Sequence, residues 1–252
     1  MRETAFAKLN LALHVRGREA GGYHRIETLF AFCEEGDVVT ARESDSLSLQ
    51  VTGRFAADLA DEADNLVIRA ARALGIRAAL RLDKRLPVAA GLGGGSADAA
   101  AVLRLFGGTA RMAAALGADV PACLLSRTAR GEGKGDEIAP IEIDGLAGTP
   151  VLLVNPAVKL STAAVFAAWN GVDRGPLGDW ENGRNDLEAP ARLLVPAIGA
   201  VLESLSGARI ARMSGSGATC FGLFDSAAKR DSAAARIAAA NPGWWVSQTR
   251  LK

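Results

Sequence analysis

The sequence is short of several things, and each shortage closes off a class of protein. Cysteine is scarce: Cys33, Cys123 and Cys220 are three, odd in number, widely spaced and set in apolar surroundings. That excludes a disulfide framework and a cysteine metal site, and points to buried thiols in a reducing compartment. An excess of one charge is missing too. With 29 Lys and Arg against 28 Asp and Glu, the formal net charge is +1, which gives no support for a nucleic-acid or polybasic membrane surface. No apolar run reaches the roughly 18 residues of a membrane span. The opening Met-Arg-Glu-Thr-Ala-Phe-Ala-Lys has no secretory apolar segment. A cytoplasmic protein without nucleic-acid or membrane partners is therefore expected. Aromatic residues are only 5%, with Tyr23 the single tyrosine and His14 and His24 the two histidines. Neither of the two best-known phosphate loops is present. There is no Gly-Lys-Ser/Thr ending of a Walker A loop and no Gly-x-Gly-x-x-Gly of a dinucleotide fold. Internal repeats and long linkers are absent as well.

What is there suffices for a core. At 252 residues and 49% apolar composition, the chain fits one large domain or two small ones. The dominant stretch is Leu86-Pro-Val-Ala-Ala-Gly-Leu-Gly-Gly-Gly-Ser-Ala-Asp, with four glycines in five positions (Gly91, Gly93, Gly94, Gly95) ahead of an alanine-rich helical run. Glycine tolerates positive φ and has no Cβ to block a ligand. A helix N-terminus adds unpaired N–H groups and the positive end of the helix dipole. Together these make an anion site, best suited to phosphate.

Around it the pattern is mixed. Leu9, Leu11, Leu13 and Val15 alternate with Lys8, Asn10, Ala12 and His14, which predicts a strand over 5–15 with Lys8 and Asn10 on one face. Residues 17–24 read as a glycine-rich loop, and Gly17–Gly22 is a candidate mobile segment. Separate strands are expected at 25–33, Val38–Arg42 and Leu47–Val51, without intervening helices, so the sheet should be mixed or antiparallel. A helix follows, capped by Asp64 or Asn65 and closed by Gly75. Then come a strand at Ala78–Leu82, helices at Ala97–Phe106 and Ala110–Leu116, a turn at Arg130–Gly135 and a strand at Pro150–Val154. Helices at Thr162–Trp169, Asp186–Leu194, Pro196–Leu205 and Ala227–Ala240 alternate with strands at Ile210–Met213, Thr219–Leu223 and Trp244–Thr249. The class is α+β, in two lobes, 1–145 and 146–252.

Several segments together carry a resemblance. Pro87-x-x-x-Gly-Leu-Gly-Gly-Gly-Ser-Ala resembles the central motif of the GHMP kinases. Ala7-Lys-Leu-Asn-Leu11, Gly22-Tyr-His24, Thr28-Leu-Phe30, Gly117-Ala-Asp-Val-Pro121, Asn185-Asp-Leu-Glu188 and Ser214-Gly-Ser-Gly-Ala218 resemble, in order, motifs of one branch. That branch phosphorylates 4-diphosphocytidyl-2-C-methyl-D-erythritol in the non-mevalonate isoprenoid pathway. The resemblance implies a two-lobed kinase fold, ATP as phosphoryl donor, Mg²⁺ bound through the phosphates, and a cytidine diphosphate derivative of methylerythritol as the small-molecule acceptor. Another small-molecule kinase of the superfamily, homoserine or mevalonate type, or a silent nucleotide-binding sensor are the alternatives.

The resemblance also assigns roles. Asp119 matches the base and Lys8 its electrostatic partner, although a helix cap explains Asp119 and a solvated strand face explains Lys8. Pro87, Gly91, Leu92, Gly93, Gly94, Gly95 and Ser96 match the ATP phosphate loop. Asn65 matches a position near adenine, and a helix cap explains it equally. Asn10, Tyr23, His24, Thr162 and Phe166 match the acceptor side, with Tyr23 and Phe166 on either side of a cytosine and His24 on its edge. As a core residue, Phe166 needs no ligand. Ser214–Gly217 is expected to support the phosphate loop from behind. Two departures stand out: Ala97 replaces a frequent serine, and Asp98 replaces a common asparagine.

Overall fold

The computed structural model describes residues 1–59 and 65–252. In chain order the strands and helices are β1 (Arg2–Arg18), β2 (His24–Glu43), β3 (Ser48–Thr52), α1 (Leu66–Ala73), β4 (Ala78–Asp83), α2 (Gly94–Phe106), α3 (Ala110–Leu116), α4 (Val120–Leu125), β5 (Ala129–Glu132) and β6 (Glu137–Pro140). There follow β7 (Pro150–Asn155), α5 (Thr162–Ala167), α6 (Glu188–Leu194), α7 (Ala197–Ser204), β8 (Ile210–Met213), β9 (Cys220–Leu223), α8 (Ala227–Ala240) and β10 (Trp245–Arg250).

Two sheets result. In the first, β2 is the spine. It pairs antiparallel with β1 along nearly its whole length, from Arg18↔His24 to Arg2↔Thr40. Its other edge is shared: Thr28–Phe30 takes β5, and Val38–Glu43 takes β4. β3 joins β4 in parallel, so this sheet is mixed. The second sheet runs β10-β7-β9-β8 and is antiparallel throughout. The mixed and antiparallel α+β architecture agrees with the sequence.

Burial falls into three clusters. Helices α1 to α4 cover one face of the first sheet over Phe30, Val39, Leu80 and Leu82. The two sheets meet through Leu9, Leu11, Leu29, Val151, Leu153, Phe221 and Trp245. Helices α5 to α8 close a third cluster with Leu152, Val154 and Met213. Because α2 lies in the middle of this, Ala97 through Leu103 are all buried. Only small residues allow such close packing on several sides, which is why the run is alanine.

Three expectations need correction, and one strand had no expectation at all. Residues 25–33 and 38–42 belong to one strand, β2, not two. The polar Glu34-Glu35-Gly36-Asp37 suggested a break, yet Gly36 is there because a Cβ would sit 2.2 Å from the carbonyl oxygen of Ala5. α2 begins at Gly94, not Ala97, so part of the glycine run is helix. The segment Arg130–Gly135 is half strand, since β5 extends to Glu132 before the turn. β6 had no sequence signal, being short and largely exposed. For α1, Asn65 is the cap: its side chain accepts from the Val67 N–H. Asp64 lies outside the described residues. Among the described residues no helix is long and apolar enough to cross a membrane.

Candidate active site

β1 supplies the floor of a cavity of about 930 Å³. Lys8 and Asn10 share a face, as alternation predicts, but that face is not solvated: the residues are 3% and 2% exposed. A buried ammonium requires partners, and it has them. Lys8 Nζ donates to Asn10 Oδ1 at 2.8 Å and lies 3.2 Å from Asp119 Oδ2. It also sits 5.4 Å from the Phe30 ring centroid. Asn10 is locked in turn. Its Nδ2 donates to Thr28 Oγ1 at 2.8 Å, and Thr28 Oγ1 donates to the Ala12 carbonyl at 2.7 Å.

Asp119 stands at the N-cap position of α4, but its side chain makes no capping hydrogen bond. It is 39% exposed on the side-chain scale, against 4% for Lys8. The carboxylate therefore faces the cavity and the lysine, not the helix end. Capping does not explain this residue.

The glycine run forms the adjoining wall. Gly93 is the cap of α2 with φ +62°, and the first helical bond runs from the Ala97 N–H to the Gly93 carbonyl at 2.8 Å. The N–H groups of Gly94, Gly95 and Ser96 precede that bond and have no helical acceptor. All of these except Ala97 line the cavity. Gly93 lies directly over the ion pair: a Cβ there would be 3.0 Å from Lys8 Cε and 3.7 Å from Asp119 Oδ2. Gly91 also lines the cavity and abuts the second glycine loop. Its φ is +75°, and a Cβ would lie 2.2 Å from the Ser214 carbonyl oxygen. Ser214 Oγ accepts from the Asn10 N–H at 3.2 Å and donates to the Gly91 carbonyl at 2.9 Å. The Ser214–Gly217 loop thus ties β1 to the glycine run, consistent with a supporting role. Leu92 is buried and contributes its carbonyl to the Lys8 N–H at 2.9 Å. Pro87, Leu92 and Asn65 are not among the residues that line the cavity; Leu66 is.

The opposite end is aromatic and basic. His24 packs on Phe166 with ring centroids 4.8 Å apart and meets Trp169 edge-on at 5.6 Å. Burial first, and then the charge of Arg18, hold the His24 imidazole below its usual pKa. Its Nε2 accepts from Arg18 Nε at 3.2 Å. Tyr23 is 59% exposed, and Lys134 Nζ lies 3.9 Å over its ring. Tyr23, His24 and Phe166 all line this end of the cavity, with His24 in contact with Phe166. Thr162 Oγ1 and Ser216 Oγ lie 2.8 Å apart, joining α5 to the second glycine loop.

Sequence reading missed a charged cluster beneath the glycine run. Lys84 Nζ bridges Asp37 Oδ2 and Asp98 Oδ2, the latter at 2.9 Å, and all three side chains are buried. One signal for it was available: Asp98 is a lone charge in an alanine run. Asp37 and Lys84 stand beside other charged residues, and nothing in their spacing marks them as buried.

The family model for the GHMP kinases N terminal domain matches residues 65–127, and that for the GHMP kinases C terminal region matches 173–243. The 4-diphosphocytidyl-2-C-methyl-D-erythritol kinase of Rhizorhabdus wittichii is 56% identical, over 99% of this chain and 94% of its own length. That of Novosphingobium aromaticivorans is 53% identical, over 98% and 91%. A crystal structure of a 4-(cytidine 5'-diphospho)-2C-methyl-D-erythritol kinase superposes with a TM-score of 0.81 at 31% identity, over 99% of each chain. On this identity and coverage, the chain belongs to the 4-diphosphocytidyl-2-C-methyl-D-erythritol kinase family of the GHMP kinases.

Proposed function

We propose that the chain transfers the γ-phosphoryl group of ATP to the 2-hydroxyl of 4-diphosphocytidyl-2-C-methyl-D-erythritol, a step in making isoprenoid precursors by the non-mevalonate route. The observation that carries the residue-level reading is the Lys8–Asp119 pair, 3.2 Å apart beneath the helix-start amides in one cavity. In this reading the acceptor oxygen attacks the γ-phosphorus and its proton passes to Asp119. The bond from phosphorus to the β,γ-bridging oxygen breaks, and ADP leaves. Phosphoryl transfer has a loose transition state, so positioning and electrostatics supply most of the rate. Lys8 lies 3.2 Å from the Asp119 carboxylate and faces the developing charge. The amides of Gly94, Gly95 and Ser96 hold donor phosphate, with Gly91 and Gly93 giving the backbone its close approach. Asn10 and Thr162 lie toward the acceptor.

His24, Phe166 and Tyr23 surround the acceptor base. Stacking on an aromatic ring contributes about 1–3 kcal/mol per base. Lys134 must leave the covered face of Tyr23 if a base is to stack there. Asn65 supports this reading only through the start of α1, and Pro87 and Leu92 only through the shape of the loop.

Magnesium does not fit a protein cage here. Among the described residues no group of three or more His, Cys, Asp or Glu could hold a metal ion. Magnesium would travel on the ATP phosphates and keep several waters, as that ion prefers, and no step is assigned to it. Two lobes, 1–145 and 146–252, are part of the same reading, supported by sheets drawn from residues 2–140 and 150–250. A cytoplasmic location is supported by three free, buried cysteines.

The test is Asp119→Asn. The expected kcat loss with ATP and the cytidine diphosphate substrate is about 10²–10⁴-fold, the range of general-base catalysis. An undiminished rate refutes the base assignment. Equal turnover of mevalonate or homoserine by the unaltered chain refutes the acceptor.

A further inference from the structure

The cluster beneath the glycine run holds two carboxylates and one ammonium, and nothing in the mechanism above uses it. Its members come from three elements: Asp37 from β2, Lys84 from the segment after β4, and Asp98 from the second turn of α2. Cys123 on α4 faces the same region as a neutral thiol, which burial holds protonated. The Arg85 guanidinium turns away to Asp83 at 2.8 Å, leaving only its backbone N–H in the cluster.

The donors are shared unequally. Asp37 Oδ1 accepts the Arg85 N–H at 2.6 Å and the Leu86 N–H at 2.8 Å, while its Oδ2 takes Lys84 Nζ. That carboxylate is fully served in its ionised form. Asp98 Oδ2 shares the same ammonium at 2.9 Å, but its Oδ1 is buried without a partner. One ammonium balances one carboxylate. A second, with an unserved oxygen in a site closed to water, is costly to ionise.

We infer that the Asp37–Asp98 pair holds one proton at neutral pH, that it resides on Asp98, and that this neutral acid positions the start of the phosphate-loop helix. The cluster lies against that helix start: a Cβ on Gly94 would be 3.0 Å from Lys84 Nζ and 3.6 Å from Asp37 Oδ2. With Asp98 neutral, the cluster carries no net charge and the helix amides present an undiminished field to an anion. With Asp98 ionised, a net negative charge sits under the same amides and opposes ATP. Burial first, and then the charge of Asp37, push Asp98 up to about 8 against the pull of Lys84. Burial alone would lower Lys84, but the two carboxylates overcome it and raise its pKa.

The consequence for ATP rests on the kinase reading; the proton does not. The proton is tested on the ligand-free chain by ¹³Cγ NMR of labelled aspartate. One resonance is expected at the protonated position at pH 7, moving to the carboxylate position with a midpoint near 8. It should be absent from Asp98→Asn. If every aspartate of the unaltered chain is at the carboxylate position at pH 7, the proposal is overturned, whether or not the variant folds. The coupling is tested by the KM for ATP between pH 7 and 9. A rise of roughly tenfold is expected in the unaltered chain, the scale of one charge acting on a polyanion near a protein surface. Asp98→Asn should flatten it. Parallel profiles in the two proteins overturn the coupling.

Discussion

Substituting Gly93 by alanine separates positioning from stability. The residue has φ +62°, and its absent Cβ would lie 3.0 Å from Lys8 Cε and 3.4 Å from Lys8 Cβ. A left-handed conformation at a non-glycine residue costs about 1–3 kcal/mol. The contacts are with a side chain, so the fold can yield by moving the Lys8 stem a few tenths of an ångström. For a chain of this size the cost corresponds to a Tm lowered by roughly 3–10 °C. The ammonium cannot follow freely, because Lys8 Nζ is held by Asn10 Oδ1 at 2.8 Å and Asp119 Oδ2 at 3.2 Å. Whatever displacement the stem forces on the ammonium lowers kcat, by up to about 10²-fold, the cost of a misplacement of about 1 Å. Gly91→Ala is the control. There the Cβ would meet a backbone oxygen at 2.2 Å, which no rotamer relieves. Strain and overpacking together predict about 2–6 kcal/mol of lost stability. The assay is kcat and KM for both substrates on soluble protein, beside thermal melts. If Gly93→Ala keeps kcat within about twofold while its melt shows the expected strain, the glycine does not guard Lys8 and the positioning argument fails.

Three further outcomes follow from the same contacts. Asp98 has a folded pKa near 8 against 3.8 unfolded, so the folded chain binds the extra proton. Its contribution is complete below the unfolded value and lost as pH rises through about 8. Relative to Asp98→Asn, stability should fall with pH across that window by at most about 1.4 kcal/mol per unit, and equal slopes in denaturant titrations would exclude it. Cys33, Cys123 and Cys220 are buried, and burial pushes their thiols up. The native chain should resist alkylation at pH 8 and react fully once unfolded; rapid labelling of any native thiol counts against the core described. Arg18 lowers the His24 pKa by its charge. Arg18→Gln should raise it toward 6.5 in an NMR titration, and an unchanged value would remove Arg18 from that end of the cavity.

Much of this was legible in the chain itself. The alternation over 5–15 placed Lys8 beside Asn10, and the glycine run ahead of an alanine stretch announced a helix start. Asn65 before α1 and Gly75 after it read correctly as cap and stop because those preferences are local. Strand boundaries failed where they depended on distant partners. β2 stays unbroken through Glu34–Asp37 because β1 pairs on both sides of that stretch, and Asp37 is reached by Lys84. Lys84 stands between Asp83 and Arg85, and nothing nearby in sequence announces the two acids it meets.

By itself, the sequence determined the class of fold, the glycine loop, and the residue types that a phosphoryl transfer requires. Each of these is written in spacing over a few residues, where backbone sterics and periodicity act. The tertiary structure alone decided which of those residues meet. It set Asp119 against Lys8 and not on its own helix end, turned His24 to Phe166, and buried Asp98 with an oxygen left over. Those outcomes depend on sheet register and on how closely α2 packs over β1, and such distances are fixed only when the whole core closes.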